Sequence, residues 1–168
     1  LVNWAKWTLA GHAPPPATVQ SLAVQARYLA QRLEYHLLGN HLWTNGKALV
    51  FGGAFFDGDE AARWRTTGLG IVEQQLAEQV LADGGHFERS PMYHSIMIED
   101  LLDLVALSEC FPGLIADATV DRWRATIAAM LGWLEVMTHP DGDIAFFNDA
   151  ALGIAARPEV LRAQAARL

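Results

Sequence analysis

Basic residues are scarce in this chain, and their scarcity limits what it can bind. It has 12 Lys and Arg against 19 Asp and Glu, which gives a formal net charge of −7 at pH 7. Because nucleic-acid-binding domains usually present a basic face, binding to nucleic acid is not expected. No uninterrupted apolar run of about 18 residues occurs either, so the sequence predicts no membrane insertion.

Cysteine is almost absent as well. Cys110 is the only one, which excludes an intrachain disulfide and a cysteine-based zinc site. A lone thiol in a helical pattern is usually a core residue, so we expect Cys110 to be buried. The sequence also lacks a phosphate-binding loop, a dinucleotide fingerprint, a serine-nucleophile elbow and a His-Glu-x-x-His motif. No cofactor is therefore predicted.

Apolar residues recur at helical spacing along almost the whole chain. The pattern predicts a short N-terminal helix with Trp4 and Trp7, helices over 17–38, 41–56, 60–81, 91–110 and 117–137, and a last helix after Pro158. Long helices with short connections predict one all-α domain over residues 1–168, arranged as a bundle, a solenoid or a toroid of hairpins. The tryptophans are expected mainly in the core, with sugar stacking as the alternative for Trp4, Trp7 and Trp43.

Residues 86–94, His-Phe-Glu-Arg-Ser-Pro-Met-Tyr-His, form the segment richest in polar functional groups. Ser90 suits the N-cap of a helix and Pro91 its first position, which places Tyr93 in the first turn. The positive end of the helix dipole would help a phenol there toward its anionic form and attract an anionic ligand. The alternative is a structural tyrosine whose hydroxyl binds a backbone carbonyl.

A second candidate segment opens another predicted helix with Asn40 and His41, and Asn45 follows on the same face. An amide and a neutral imidazole can both hydrogen-bond a carboxylate without placing a fixed charge beside it. The alternative is that Asn40 simply caps the helix and His41 is a surface residue.

Acidic and amide side chains near the C-terminus are of the types that bind calcium. They are Asp141, Asp143, Asn148 and Asp149. Their spacing does not follow the EF-hand loop, and Pro140-Asp141-Gly142 is typical of an ordinary turn. No metal site is predicted.

Together these segments resemble the heparinase II/III family of polysaccharide lyases. The residues that carry the resemblance are 34–42, 45–51, 83–94, 99–104 and 139–149, so it covers most of the chain. It implies an incomplete (α/α) toroid, of which residues 1–168 would be the C-terminal part. Full-length members add a β-sandwich domain, which is absent from this sequence and would be the partner in cis. The resemblance therefore also allows that residues 1–168 are inactive without that domain. A bacterial periplasmic or secreted location is also implied.

The family resemblance implies β-elimination on an acidic polysaccharide that contains uronic acid. Asn40 and His41 would neutralise the uronate carboxylate, and Tyr93 would transfer protons, as base at C5 or as acid at the glycosidic oxygen. The candidate substrate-binding residues, some of which could act from behind the site, are Arg89, His94, Asn45, Glu88 and Asn148.

Other functions remain open at the level of sequence. An inverting glycoside hydrolase on the same kind of helical fold would use two carboxylates, for which Asp57, Glu60, Glu99 and Asp100 are available. A non-catalytic glycan-binding or scaffold module is a further alternative. The shortage of Lys and Arg in the motifs slightly favours an unsulfated substrate.

Overall fold

The computed structural model describes residues 1–37 and 39–168, and this part of the chain forms seven helices. They are α1 (Val2–Leu9), α2 (Pro16–Ala30), α3 (Asn40–Phe55), α4 (Asp59–Gln79), α5 (Pro91–Cys110), α6 (Asp117–Val136) and α7 (Pro158–Ala165). Within those ranges there is no strand, only two isolated antiparallel bridges, Val80–His86 and Thr138–Ile144. The predicted all-α class is confirmed.

The helix predicted over 17–38 is too long. Helix α2 ends at Ala30, and residues 31–37 form turns and bends instead of further helix. Leu38 lies outside the described residues. The backbone N–H of Glu34 donates to Oδ1 of Asn45 at 3.0 Å, so a tertiary hydrogen bond replaces the one that a longer helix would make. Apolar spacing alone could not reveal this competing bond.

Backbone contacts divide the chain into two compact units, residues 1–76 and 77–168, and the division falls inside α4. In the first unit, α3 and α4 approach closely at Gly46 and Gly68. A Cβ on Gly68 would lie 2.6 Å from the carbonyl oxygen of Gly46, which only glycine avoids. A small core forms beside this contact from Ala26, Leu49, Ala61 and Trp64.

The second unit packs α5, α6 and α7 against one another. Apolar spacing over 117–137 predicts one buried face, and five of its six residues, Val120, Trp123, Ile127, Met130 and Leu134, are each no more than 5% exposed. The sixth, Met137, lies just beyond the end of α6 and is half-buried. That part of the periodicity argument is confirmed. The prediction that residues 1–168 are a single domain stays a prediction.

Two expectations about burial are wrong. Cys110 is the last residue of α5 and is exposed, because the helix ends there and the chain turns into solvent. Trp4 and Trp7, on the short α1, are 38% and 40% exposed, whereas Trp43 is 1% exposed, as core packing requires.

Among the described residues, no helix has the length and apolarity needed to span a membrane.

Candidate functional site

The predicted site residues fall into two groups, one in each unit. Asn40, His41 and Asn45 belong to the first unit. The second unit holds Glu88, Arg89, Tyr93, His94 and Asn148.

Asn40 is the first residue of α3, and Gly39 is the N-cap, with a φ of 78°. The helix has no side-chain capping hydrogen bond. The alternative that Asn40 caps the helix is therefore wrong. The half-buried amide stands at the start of the helix without a capping task, where the helix dipole favours an anion.

Asn45 is 8% exposed and is committed to Glu34. Its Nδ2 donates to Oε2 of Glu34 at 2.9 Å, while its Oδ1 accepts the bond from the Glu34 backbone N–H. The same Oε2 lies 3.8 Å from Nδ1 of His41, whose side chain is 52% exposed. Asn45 thus fixes a carboxylate beside the imidazole, and its predicted role as a substrate contact stays a prediction.

Glu34 has no role among the candidate residues predicted from the sequence. It stands seven positions before His41, inside a segment that carries the family resemblance. The signal was present in that short spacing. It was hidden because residues 31–37 were predicted to continue α2, which would have placed Glu34 on a helix surface.

In the second unit, two loops are joined by what we call the loop clasp, formed by residues 88–90 and 148–149. Nδ2 of Asn148 donates to the carbonyl oxygens of Glu88 and Arg89, both at 3.0 Å, and Oγ of Ser90 donates to the carbonyl oxygen of Asp149 at 3.2 Å. Arg89 and Asn148 both have left-handed backbone, with φ of 54° and 51°. Asparagine tolerates this conformation and arginine does not favour it, so the clasp holds Arg89 in place.

Helix α5 begins as predicted, with Ser90 as N-cap and Pro91 first. The Tyr93 hydroxyl donates to Oδ2 of Asp149 at 3.4 Å, not to a backbone carbonyl. Partial burial raises the pKa of Tyr93, and the carboxylates of Asp149 and Glu88 raise it further. The pKa of Tyr93 therefore moves opposite to the expected help toward the phenolate, and its hydroxyl keeps the proton that it donates to Asp149.

His94 is fully buried, and both of its ring nitrogens are used. Nδ1 accepts from the backbone N–H of His86 at 3.2 Å, so Nε2 carries the proton and donates to the carbonyl of Met130 at 2.9 Å. Burial lowers the pKa of His94 to about 4, against the opposing pull of the Met130 carbonyl and the Asp83 carboxylate. The neutral ring uses both nitrogens to bind buried backbone groups, which suits a residue that positions the site and does not contact substrate.

His86 is the neighbour that sequence reasoning left without a role. Its Nε2 donates to Oε1 of Gln79 at 2.9 Å, and Nδ1 is buried without a hydrogen-bond partner in the described part of the chain. Burial, with the nearby His94, lowers the pKa of His86 to about 4. The 86–94 segment thus begins and ends with a buried, neutral imidazole.

Arg89 is exposed, and no hydrogen bond or ion pair of its guanidinium is found among residues 1–37 and 39–168. It lines a cleft of about 370 Å³ in the second unit. Glu88 is half-buried and acts on Tyr93 electrostatically. Whether Arg89 and Glu88 contact substrate stays a prediction.

The carboxylates available for hydrolysis include one that is unsuited to it. Glu60 accepts three hydrogen bonds from Arg27, the shortest at 2.6 Å from Nη2. The Arg27 guanidinium lowers the pKa of Glu60, so this carboxyl does not hold the proton that a general acid must donate. No group of three metal-ligating side chains is found in the described part of the chain.

A family model described as the heparinase II/III N-terminus matches residues 17–165. The chain is 33% identical over 125 residues to a heparin-sulfate lyase of Bacteroides stercoris, covering 70% of this chain and 18% of that protein. It is 30% identical over 133 residues to a heparin-sulfate lyase of Pedobacter heparinus, covering 75% and 19%. The chain thus spans about a fifth of the length of these relatives.

Solved structures agree with the sequence comparison. A heparan sulfate lyase from Pedobacter heparinus superposes with a TM-score of 0.62 at 26% identity, covering 80% of this chain and 21% of that one. Heparinase III superposes with a TM-score of 0.70 at 21% identity, covering 86% of this chain and 22% of that one. At this identity the likeness shows the fold alone. These likenesses confirm the predicted fold class, helical hairpins of the (α/α) toroid type. With the family model matching nearly its whole length, the chain belongs to the heparinase II/III family.

Proposed function

We propose that this chain serves in a polysaccharide lyase that cleaves uronic-acid glycans by β-elimination. The observation that carries the proposal is the family match over residues 17–165, joined to relatives named heparin-sulfate lyase. In β-elimination a proton leaves C5, the bond between C4 and the glycosidic oxygen breaks, and a double bond forms between C4 and C5. The chemistry requires a neutralised carboxylate, a base that accepts the C5 proton and a proton donor to the leaving oxygen.

Asn40 and His41 are the proposed neutralising groups. The Asn40 amide is not used as a cap, and the imidazole of His41 is half exposed beside Glu34. Hydrogen bonds from such groups would stabilise the enolate-like charge that develops as the C5 proton leaves. Glu34 and Asn45 are proposed as positioning residues that fix the orientation of His41.

Tyr93 is the proposed proton-transfer group. Its neutral phenol, held by the Asp149 carboxylate, keeps its proton near neutral pH. This state supports donation to the departing glycosidic oxygen more directly than abstraction at C5. His94 is proposed as a positioning residue, since its ring holds Met130 and His86.

The test is the ultraviolet absorbance of the unsaturated uronate, followed while the 168-residue chain is incubated with uronic-acid glycans with and without sulfate. We expect the absorbance to rise with time. The rate of this rise should be lower by about 10²–10⁴-fold in Tyr93→Phe, the usual size of a general acid–base contribution. Tyr28→Phe is the matched control, because Tyr28 is a 60% exposed phenol on α2.

Each outcome bears on a different part of the proposal. A rise that Tyr93→Phe leaves unchanged keeps the reaction and removes Tyr93 from it. New reducing ends without ultraviolet absorbance would instead indicate hydrolysis. The absence of any cleavage on every glycan would count against catalysis by this chain and favour a binding module.

A further inference from the structure

A cleft of about 370 Å³ lies in the second unit, beside the loop clasp and apart from Tyr93, which does not line it. Its volume falls in the range of about 300–1,000 Å³ that is common for small-molecule sites. The residues that matter for its chemistry are Asp83, His86, Arg89, Trp133, Phe147 and Asn148. Because Asn148 and Asp149 are adjacent, the cleft and the Tyr93 hydroxyl are held by the same loop.

Two aromatic rings give the cleft apolar surface. Phe147 is 55% exposed. Trp133 is half-buried, and its ring centroid lies 4.5 Å from that of His94. Gly85 lets the indole come close, since a Cβ there would lie 2.6 Å from Nε1 of Trp133. Aromatic rings that line a cleft suit the C–H faces of a sugar ring, while the indole N–H can donate to a hydroxyl.

The charge of the cleft comes from two side chains. The Arg89 guanidinium is without an ion-pair partner among the described residues, and the loop clasp fixes its backbone. His86 is neutral, so Arg89 is the one cation among the residues that line the cleft, and Asp83 is the one anion. A guanidinium can bind a carboxylate or sulfate through two hydrogen bonds, and a carboxylate such as Asp83 can accept from sugar hydroxyls.

We propose that this cleft binds one anionic sugar residue of an acidic glycan, with Arg89 on the carboxylate or sulfate and Trp133 and Phe147 against the ring. The choice of glycan rests on the proposed function, whereas the selectivity for an anionic sugar rests on the cleft itself. The site is a binding subsite and takes no part in proton transfer.

The experiment follows the indole N–H signal of Trp133 in two-dimensional NMR of the 168-residue chain, identified by its loss in Trp133→Phe. The probe is an unsulfated tetrasaccharide of glucuronate and N-acetylglucosamine. We expect this signal to shift on addition of the probe. The same tetrasaccharide with its carboxylates reduced to alcohols should bind at least about tenfold more weakly, since a charge-assisted bidentate bond is lost.

Variants of the lining residues test whether Arg89 causes the preference for the acidic over the reduced glycan. Arg89→Gln should remove most of the difference between acidic and reduced glycans, and Arg89→Lys should keep part of it, because an ammonium retains charge without the bidentate geometry. Phe147→Ala should weaken both glycans alike. Arg162→Gln is the matched control, an exposed cation on α7 that does not line the cleft. Unchanged far-ultraviolet circular dichroism would show that each variant is folded.

Further probes separate the sources of negative charge and the two proposals. A carboxyl-reduced tetrasaccharide that carries sulfate and binds as tightly as the acidic one would assign the Arg89 position to sulfate. Equal affinity for acidic and neutral glycans, or an unmoved Trp133 signal, would overturn the subsite. Binding without β-elimination would keep the subsite while the lyase proposal fails; elimination with an unmoved Trp133 signal would do the reverse.

Discussion

The two groups of candidate site residues are held in place by different means. In the first unit, the side chain of Asn45 binds both the carboxylate and the backbone N–H of Glu34, and that carboxylate lies beside His41. In the second unit, the Tyr93 hydroxyl binds the Asp149 carboxylate, but the clasp that holds the loops binds backbone carbonyls and includes two residues with left-handed backbone. Side-chain pairs leave a trace in residue types and spacing. A loop held through its backbone carbonyls is hard to predict from sequence, because every residue type presents the same carbonyl group.

The largest effect should come from the tight turn of the second unit. Gly84 has a φ of 84°, and a Cβ there would lie 2.5 Å from the carbonyl oxygen of Ala129. We expect Gly84→Ala to lower the free energy of unfolding by about 2–5 kcal/mol, measured by urea denaturation, because left-handed strain and a backbone clash add.

Gly113 separates these two causes. Its φ is 82°, and nothing lies within 4 Å of a Cβ built on it. Gly113→Ala should therefore cost only the conformational strain, about 1–2 kcal/mol. Equal losses for the two variants would mean that the contact with α6 is unimportant.

The buried imidazoles should make the stability of the second unit depend on pH. The pKa of both His86 and His94 is lowered to about 4 in the folded chain, against 6.5 as the ordinary value. Between these values the unfolded chain binds more protons, so stability is full above pH 6.5 and is lost as the pH falls toward 4. We expect a loss of about 3 kcal/mol for each imidazole across this window.

The measurement is urea unfolding at a series of pH values, followed by tryptophan fluorescence, since Trp133 packs on His94. His86→Gln and His94→Gln should each be less stable at neutral pH and show a flatter profile in this window. Carboxylates also titrate near its lower end, so the difference between native and variant profiles is the informative quantity. Identical slopes would contradict the assignment.

Alanine and glycine substitutions should distinguish the two kinds of support. Asn45 is inside α3, and Asn45→Ala should cost about 1–3 kcal/mol by leaving the Glu34 N–H unpaired, with Asn45→Gly about 1 kcal/mol worse. At Asn148, with a φ of 51°, the order should reverse, because glycine relieves the left-handed strain that alanine suffers. The same ranking at both positions would show that the loop clasp is not strained.

The sequence predicted the helices well where one pattern controls the local structure. Helix α5 has the predicted bounds because Ser90 and Pro91 specify its start. The end of α2 was missed because the competing partner, Asn45, lies eleven residues further on. The candidate site followed the same rule: Asn40, His41 and Tyr93 were proposed from residue type, position and the family resemblance, and their roles stay predictions, whereas the Glu34 contacts and the clasp through Asn148 depend on tertiary structure.

The smallest effect concerns Tyr93 and tests whether its neighbours, not the helix start, control the phenol. Asp149→Asn keeps an oxygen that can accept the hydroxyl bond and removes the negative charge, so the pKa of Tyr93 should fall. The measurement is the phenolate absorbance during a pH titration, taken as the difference from the matching Tyr93→Phe variant, which cancels Tyr28 and Tyr35. Asp143→Asn is the control, since that carboxylate pairs with Arg157. An unmoved midpoint would leave burial and Glu88 as the causes, and the proton-donating state of Tyr93 would then owe nothing to the loop that holds it.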